Sequence, residues 1–180
     1  MGMRKELLVV MLASILSSIG AGIFAPIYLF YYQRIGNYVE ITTAFGIFWI
    51  VLALLEAPFG HLSDKFGKKI FILLGSILTS LTSISYIFIK TTPELYLLEF
   101  ISGAATSMQT PAIQSLISEV APRKKRGKDF GLFNSSVNFT YGIASILSGI
   151  LIGVFGFNSI FILSSLFQLS SAFIASKIKR

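Results

Sequence analysis

The sequence has no cysteine and a single histidine, His61. Without thiols there is no disulfide framework, no thiolate metal site and no redox switch. One histidine leaves no multi-histidine metal centre, and no metal or cofactor is expected. Charge is scarce too: 13% of the 180 residues are Asp, Glu, Lys or Arg, roughly half of the ~25% usual in soluble domains. In its place the chain is 54% hydrophobic with a mean hydropathy of +0.77. A soluble domain of this size cannot cover so much apolar surface, and disordered chains are poor in apolar residues. The composition leaves the lipid bilayer as the solvent. The apolar segments hold no nucleophile–base pair, so an enzyme is not expected.

A spanning helix needs about 20 mostly apolar residues. Six stretches meet or approach this, at about 7–31, 44–59, 70–89, 95–117, 130–155 and 159–176. Each is bounded by turn or charge signals such as Gly36-Asn37, Thr91-Thr92-Pro93 and Gly156 to Asn158. The run after Arg4 and Lys5 is too long for the 7–15-residue core of a cleaved signal peptide, so it reads as a retained span. The second and sixth runs are short, and their helices are expected to continue into the flanking polar residues.

The net charge is +7. With the N-terminus inside, thirteen of the fifteen Lys and Arg residues fall in inner segments; only Arg34 and Lys90 fall outside. This asymmetry follows the positive-inside rule and places both termini in the cytoplasm. It also argues against nucleic acid as a partner, because the charge is divided among four short segments.

Between the second and third spans the chain reads Gly60-His61-Leu62-Ser63-Asp64-Lys65-Phe66-Gly67-Lys68-Lys69. This resembles the signature loop of the major facilitator superfamily. Pro111 to Pro122, followed by Arg126-Gly127 and Gly131, resembles that family's fourth span, inner loop and start of the fifth. The resemblance covers nearly the whole chain. It implies an all-α membrane protein with six transmembrane helices as two inverted three-helix repeats, one half of the major facilitator fold, in the cell membrane. It further implies secondary transport of a small solute by alternating access. Physically, Gly60 and Gly67 permit tight turns and close helix approach. Carried over from the family, Gly60, Asp64, Gly67, Lys68, Lys69, Glu119 and Arg126 form an inner latch that holds the outward-facing state. The alternative for the basic residues is a solvated loop that only sets topology. His61, at the membrane edge, reads as solvated.

Ionisable residues inside spans are costly and usually functional. Glu56 and Glu99 are the two such residues, and both are proton-coupling candidates, because a carboxyl in a low-dielectric cavity holds its proton more tightly. Snorkelling to the interface is the alternative for each. The family arginine near Glu99 is missing here. The first and fourth spans carry glycines and prolines at equivalent places in the implied repeats, and such interrupted segments point to a binding region. The cavity-lining candidates are Gly22, Pro26, Gln109, Thr110, Gln114, Asn134 and Asn138. For Gln109 and Asn138, hydrogen bonding between helices is the competing reading. The small residues Gly142, Ser145, Ser148, Gly149 and Gly153 are explained by close helix packing. The Asn138-Phe139-Thr140 sequon lies within a span and is discounted.

Family members normally have two six-span halves. The chain is therefore expected to be a fragment, one member of a split pair, or a half that homodimerises, with Met1 and the basic close at Arg180 favouring a self-contained unit. A parallel homodimer, or a second six-span half, would meet the face carrying spans one and four. It would spare Gln109, Thr110 and Gln114 contact with lipid. The competing function is a non-transporting membrane protein, an accessory subunit or a remnant half-transporter.

Overall fold

The computed structural model describes residues 2–32, 35–120 and 126–178, with the side chains of 2–4, 25–31 and 120 set aside. These residues form six α-helices: α1 (Gly2–Tyr32), α2 (Tyr38–Phe66), α3 (Lys68–Ser85), α4 (Thr92–Val120), α5 (Arg126–Phe155) and α6 (Phe157–Ala175). A 3-10 turn, Tyr86–Phe88, ends α3. Five of the six helices are long and apolar enough to cross a membrane. The exception is α4, which at 29 residues is long enough. Its hydropathy is lowered by Glu99, Ser102, Ser107 and Gln109, which are all buried inside the bundle.

The helices start and stop for local reasons. Asn37 caps α2 with a reciprocal pair: its Oδ1 accepts from the Glu40 amide at 3.0 Å, and its own amide donates to Glu40 Oε2 at 2.9 Å. Glu94 does similar work ahead of α4, accepting from the amides of Lys90 at 2.8 Å and Thr91 at 3.2 Å. α2 and α3 are separated by Gly67 alone, at φ 103°, and α5 and α6 by Gly156 alone, at φ 78°. Among the described residues only these two have positive φ, where a Cβ is penalised.

The signature segment is therefore a corner rather than a loop. α2 runs on through Phe66, and the whole turn falls on Gly67. The apolar run ends near Phe59, but helical hydrogen bonding continues through the polar residues beyond. Gly60 lies inside the helix, where an added Cβ would stand 3.3 Å from Pro111 Cβ of α4. The two glycines thus divide the work: Gly60 admits a neighbouring helix and Gly67 turns the chain.

The packing has an internal symmetry. α1 packs against α5 and α6, and α4 packs against α2 and α3; α3 and α6 pack on each other. Exchanging α1–α3 with α4–α6 reproduces the same set of pairs, and the two glycine corners exchange as well. Three crossings per unit invert the second unit relative to the first. The fold is thus a pair of inverted three-helix repeats, with the lone-glycine corners at opposite ends.

Two apolar cores follow from the alternating direction of the helices. One, at the end bearing the termini, contains Val10, Ile72, Leu116, Ile117, Phe133 and Ile178. The other, at the far end, contains Ile23, Tyr32, Tyr86, Leu95, Ile160 and Phe161. Between them is a polar waist. Ser80 Oγ donates to the Ser165 carbonyl at 2.9 Å, Ser164 Oγ to Ser83 Oγ at 3.3 Å, and Ser171 Oγ to the Ala13 carbonyl at 2.7 Å. Small hydroxyls let helices approach closely while satisfying themselves in the low-dielectric interior.

Candidate functional site

At the end bearing the termini, Lys68 joins three helices. Its Nζ stands 2.7 Å from Glu119 Oε1 on α4 and 3.2 Å from Asp64 Oδ1 at the end of α2. Ser115 Oγ adds a 3.3 Å hydrogen bond to Asp64 Oδ1. Each charge sits at the unfavourable pole of its own helix: Lys68 at the positive start of α3, Asp64 and Glu119 at the negative ends of α2 and α4. Their mutual pairing offsets this. Lys68 is 12% exposed, against 63% for Asp64 and 44% for Glu119, so the cation is the group that relies most on its partners. Of the remaining latch candidates, Lys69 is half-buried and Arg126 is exposed at the start of α5. Neither joins this cluster among the described residues.

The polar waist opens into two adjoining chambers that share part of their walls. The one nearer the termini is about 450 Å³, and Gln109, Thr110, Gln114 and Asn134 all lie on its wall. The far one is about 660 Å³ and is lined by Phe24, Phe45, Phe48, Trp49, Tyr86 and Glu99, among others. Ala21, Phe48, Thr79, Thr106, Tyr141 and Gln168 border both.

Glu99 is 3% exposed. Tyr86 Oη donates to its Oε1 at 2.7 Å and lies 3.2 Å from Ser102 Oγ. Tyr86 is itself held by the 3-10 turn and by Tyr32, whose hydroxyl donates to the Tyr86 carbonyl at 2.8 Å. Glu99 is thus a buried, oriented carboxyl on a chamber wall. Glu56 is half-buried on α2 and borders neither chamber.

Other sequence candidates fall elsewhere. Gly22 is buried against α5, where its carbonyl accepts from Ser145 Oγ at 3.0 Å; it is a packing contact and no part of the wall. Asn138 is exposed and borders neither chamber. Pro26 lies within α1, but its side chain falls outside the described residues. Gln109 does not face lipid. It is buried between α3 and α4, accepting from Ser76 at 3.0 Å and donating to Thr79 at 2.9 Å. Thr110 bonds back to the Thr106 carbonyl at 3.1 Å. The cost of leaving these two groups unpaired in hydrocarbon therefore does not arise, and of the three only Gln114 is exposed.

Gln168, Ser14, Tyr86 and Trp49 escaped the sequence reading. A glutamine within an apolar span is itself a signal, and that would have marked Gln168. Tyr86 and Trp49 give no such sign, because aromatics are common at every depth. Among the described residues no three His, Asp or Glu side chains gather as a metal site.

The far-end chamber with its carboxyl, the ion cluster at the other end and the inverted repeats together define half of a transporter fold. The sequence profile of the Major Facilitator Superfamily matches residues 10–178, and the chain belongs to that family. It is similar to an uncharacterized MFS-type transporter, MJ1560, of Methanocaldococcus jannaschii, with 30% identity over 155 residues. That match covers 86% of this chain and 40% of the relative. It is also similar to the quinolone resistance protein NorA of Staphylococcus aureus, at 28% identity over 141 residues, covering 76% of this chain and 35% of NorA. The chain thus spans about two fifths or less of the length of these curated relatives.

Proposed function

We propose that the chain is one six-helix half of a secondary transporter in the cell membrane, with both termini cytoplasmic, which moves a small solute by alternating access coupled to protons. The observation that carries this reading is the pair of adjoining open chambers in a membrane bundle, with the buried carboxyl of Glu99 on the wall. A carboxyl there can take up a proton when the chamber faces one side and release it at the other, and Tyr86 keeps it oriented in both conditions. The Asp64–Lys68–Glu119 cluster ties α2, α3 and α4 at the cytoplasmic end and acts as the latch of the outward-facing state. The likeness to a quinolone resistance protein supports a small organic solute.

The second wall comes from another six-helix half, a second copy of this chain in the simplest arrangement. With Gln109 and Thr110 satisfied internally, support for such a partner rests on Gln114 and Asn134, exposed residues on the chamber wall.

The test is flux in proteoliposomes with an internal pH dye. Adding solutes from a broad panel to vesicles with an imposed proton gradient should dissipate it for some of them, and Glu99→Gln should abolish that response. Absence of any solute-dependent flux from correctly assembled protein would favour a non-transporting membrane protein. Full proton movement in Glu99→Gln would move the coupling to another group, with Glu56 next in line.

A further inference from the structure

Gln109 on α4 and Gln168 on α6, both in the second repeat, each fill a helix interface beside a glycine of the facing helix. Gln109 lies in the α3–α4 interface over Gly75, whose added Cβ would collide with the Gln109 side chain; Gln168 lies in the α1–α6 interface over Gly20, whose added Cβ would stand 3.4 Å from Gln168 Nε2. These two interfaces exchange under the repeat symmetry. Both glutamines border the chamber nearer the termini.

The hydrogen bonds fix which way each amide points. Thr79 Oγ1 donates its only proton to the Gly75 carbonyl at 2.8 Å, so towards Gln109 it can only accept, and the atom facing it at 2.9 Å must be the amide nitrogen. Ser76 Oγ then donates to Gln109 Oε1 at 3.0 Å. Gln168 Nε2 faces the Ser17 carbonyl, again purely an acceptor, at 3.2 Å, while Ser17 Oγ donates to Gln168 Oε1 at 2.9 Å. A primary amide has two N–H donors. Each glutamine uses one of them, so each retains an N–H at the chamber wall. A third group points to a ligand independently: Ser14 Oγ is buried on the same wall and has no hydrogen-bond partner among the described residues. Buried polar atoms are nearly always paired, so this one marks a place where something else supplies the pair.

We propose that Gln109, Gln168 and Ser14 form the polar end of the solute site, and that they recognise an uncharged acceptor oxygen, a carbonyl or hydroxyl, on a solute whose flat apolar body lies among Phe24, Phe48 and Trp49 of the adjoining chamber. The inference rests on the transport reading for its meaning but not for its test. The described walls of the chamber nearer the termini carry no charged side chain, and an unpaired anion would be heavily penalised there. A neutral oxygen is not. The rings of the far chamber accept a planar aromatic body by stacking or edge contacts.

Trp49 is the sole tryptophan and reports occupancy of the far chamber. The probes are acridone and 9,10-dihydroacridine, the same tricyclic frame with the carbonyl reduced to a methylene. Quenching of Trp49 is measured in nanodiscs holding the intact assembly, corrected for partition into protein-free discs, with Trp49→Phe as the blank. Acridone should bind about fivefold to tenfold tighter than dihydroacridine, the value of one to two neutral hydrogen bonds. Gln168→Leu and Gln109→Leu should each reduce this preference, and Ser14→Ala should do so with the least disturbance of packing. Dihydroacridine binding should be unchanged in all three, which also shows that the chamber is intact. Equal quenching by the two probes in the unaltered protein would overturn the proposal, as would a preference that survives in Ser14→Ala and in either glutamine variant that still binds dihydroacridine. A preference found without solute-driven flux would keep the site and refute only transport.

Discussion

Adding one methyl group to Gly22 tests how α1 and α5 are held together. A Cβ built at Gly22 would lie 2.5 Å from the Tyr141 carbonyl oxygen, 2.9 Å from Ala144 Cβ and 3.1 Å from Tyr141 Cα. Two of these are backbone atoms, so no rotamer change relieves the overlap. Carbon contacts are comfortable near ~3.5 Å, so the two helices must separate by roughly 1 Å. Overpacking of this kind costs ~1–3 kcal/mol. The 3.0 Å bond from Ser145 Oγ to the Gly22 carbonyl is lost or lengthened as well, at about 0.6 kcal/mol for an average bond within a membrane bundle. Gly142 is the control, next to Tyr141 on α5 but with nothing within 4 Å of its added Cβ. There alanine is neutral, or favourable by up to ~1 kcal/mol through helix propensity. The two variants should therefore differ by roughly 2–4 kcal/mol, the sum of these effects. Unfolding by SDS in mixed micelles, followed by far-UV circular dichroism, measures the difference. Equal stabilities for Gly22→Ala and Gly142→Ala would refute the reasoning and return Gly22 to the chamber wall.

Asp64→Asn keeps the shape of the ion cluster and leaves Lys68 only Glu119. Insertion should be normal while flux falls and the balance of inward- and outward-facing states shifts; unaltered flux would reduce Asp64 to a topology signal. The double variant Asp64→Asn/Glu119→Gln should impair more than the two single changes combined, because it leaves a largely buried cation with no counter-charge. Since the chain has no cysteine, single introduced cysteines give clean topology: reagents applied outside sealed cells should label positions 36–38 and 91–93 and spare 124–126, and labelling at 124–126 would invert the orientation. The backbone amides of Lys90 and Thr91 hold the Glu94 carboxyl below its ordinary 4.5. The start of α4 is therefore supported at pH values above that ordinary value, and the support is lost as pH falls through the lowered folded-state value. The protection factors of the Lys90 and Thr91 amides, exchange rates taken relative to the intrinsic rate at each pH, should fall in that acid range, and Glu94→Gln should leave them low and without that pH dependence.

The fold class was open to reading because membrane helices announce themselves by length and apolarity. α4 shows where that signal weakens. Its polar side chains point into the bundle, which a hydropathy average cannot distinguish from pointing outward. Spacing placed Asp64, Lys68 and Glu119 on one end of the bundle, but the separation of Gly60 and Gly67 into a packing glycine and a turning glycine needed the position of Pro111. The depth of Glu99 was misleading for the same kind of reason. About one turn from the end of its apolar run, it could have snorkelled, yet the 3-10 turn at Tyr86 folds back over it. That Gln109 and Gln168 border one chamber depends on how α4 and α6 pack, which no local feature of either segment encodes.

The repeat symmetry has a consequence for how the chain is made. Nearly all the extensive helix pairings, α1 with α5 and α6, α4 with α2 and α3, and α3 with α6, join a helix of the first repeat to one of the second. Within a repeat, α2 and α3 or α5 and α6 make little contact. α1–α3 leave the ribosome before α4–α6 and have almost nothing of their own to pack against. They must wait in the bilayer as separate spans, with Ser76, Thr79, Ser80 and Tyr86 lacking the partners that α4 and α6 provide. Assembly of this bundle begins only as α4 arrives, and it is completed when α5 and α6 close on α1.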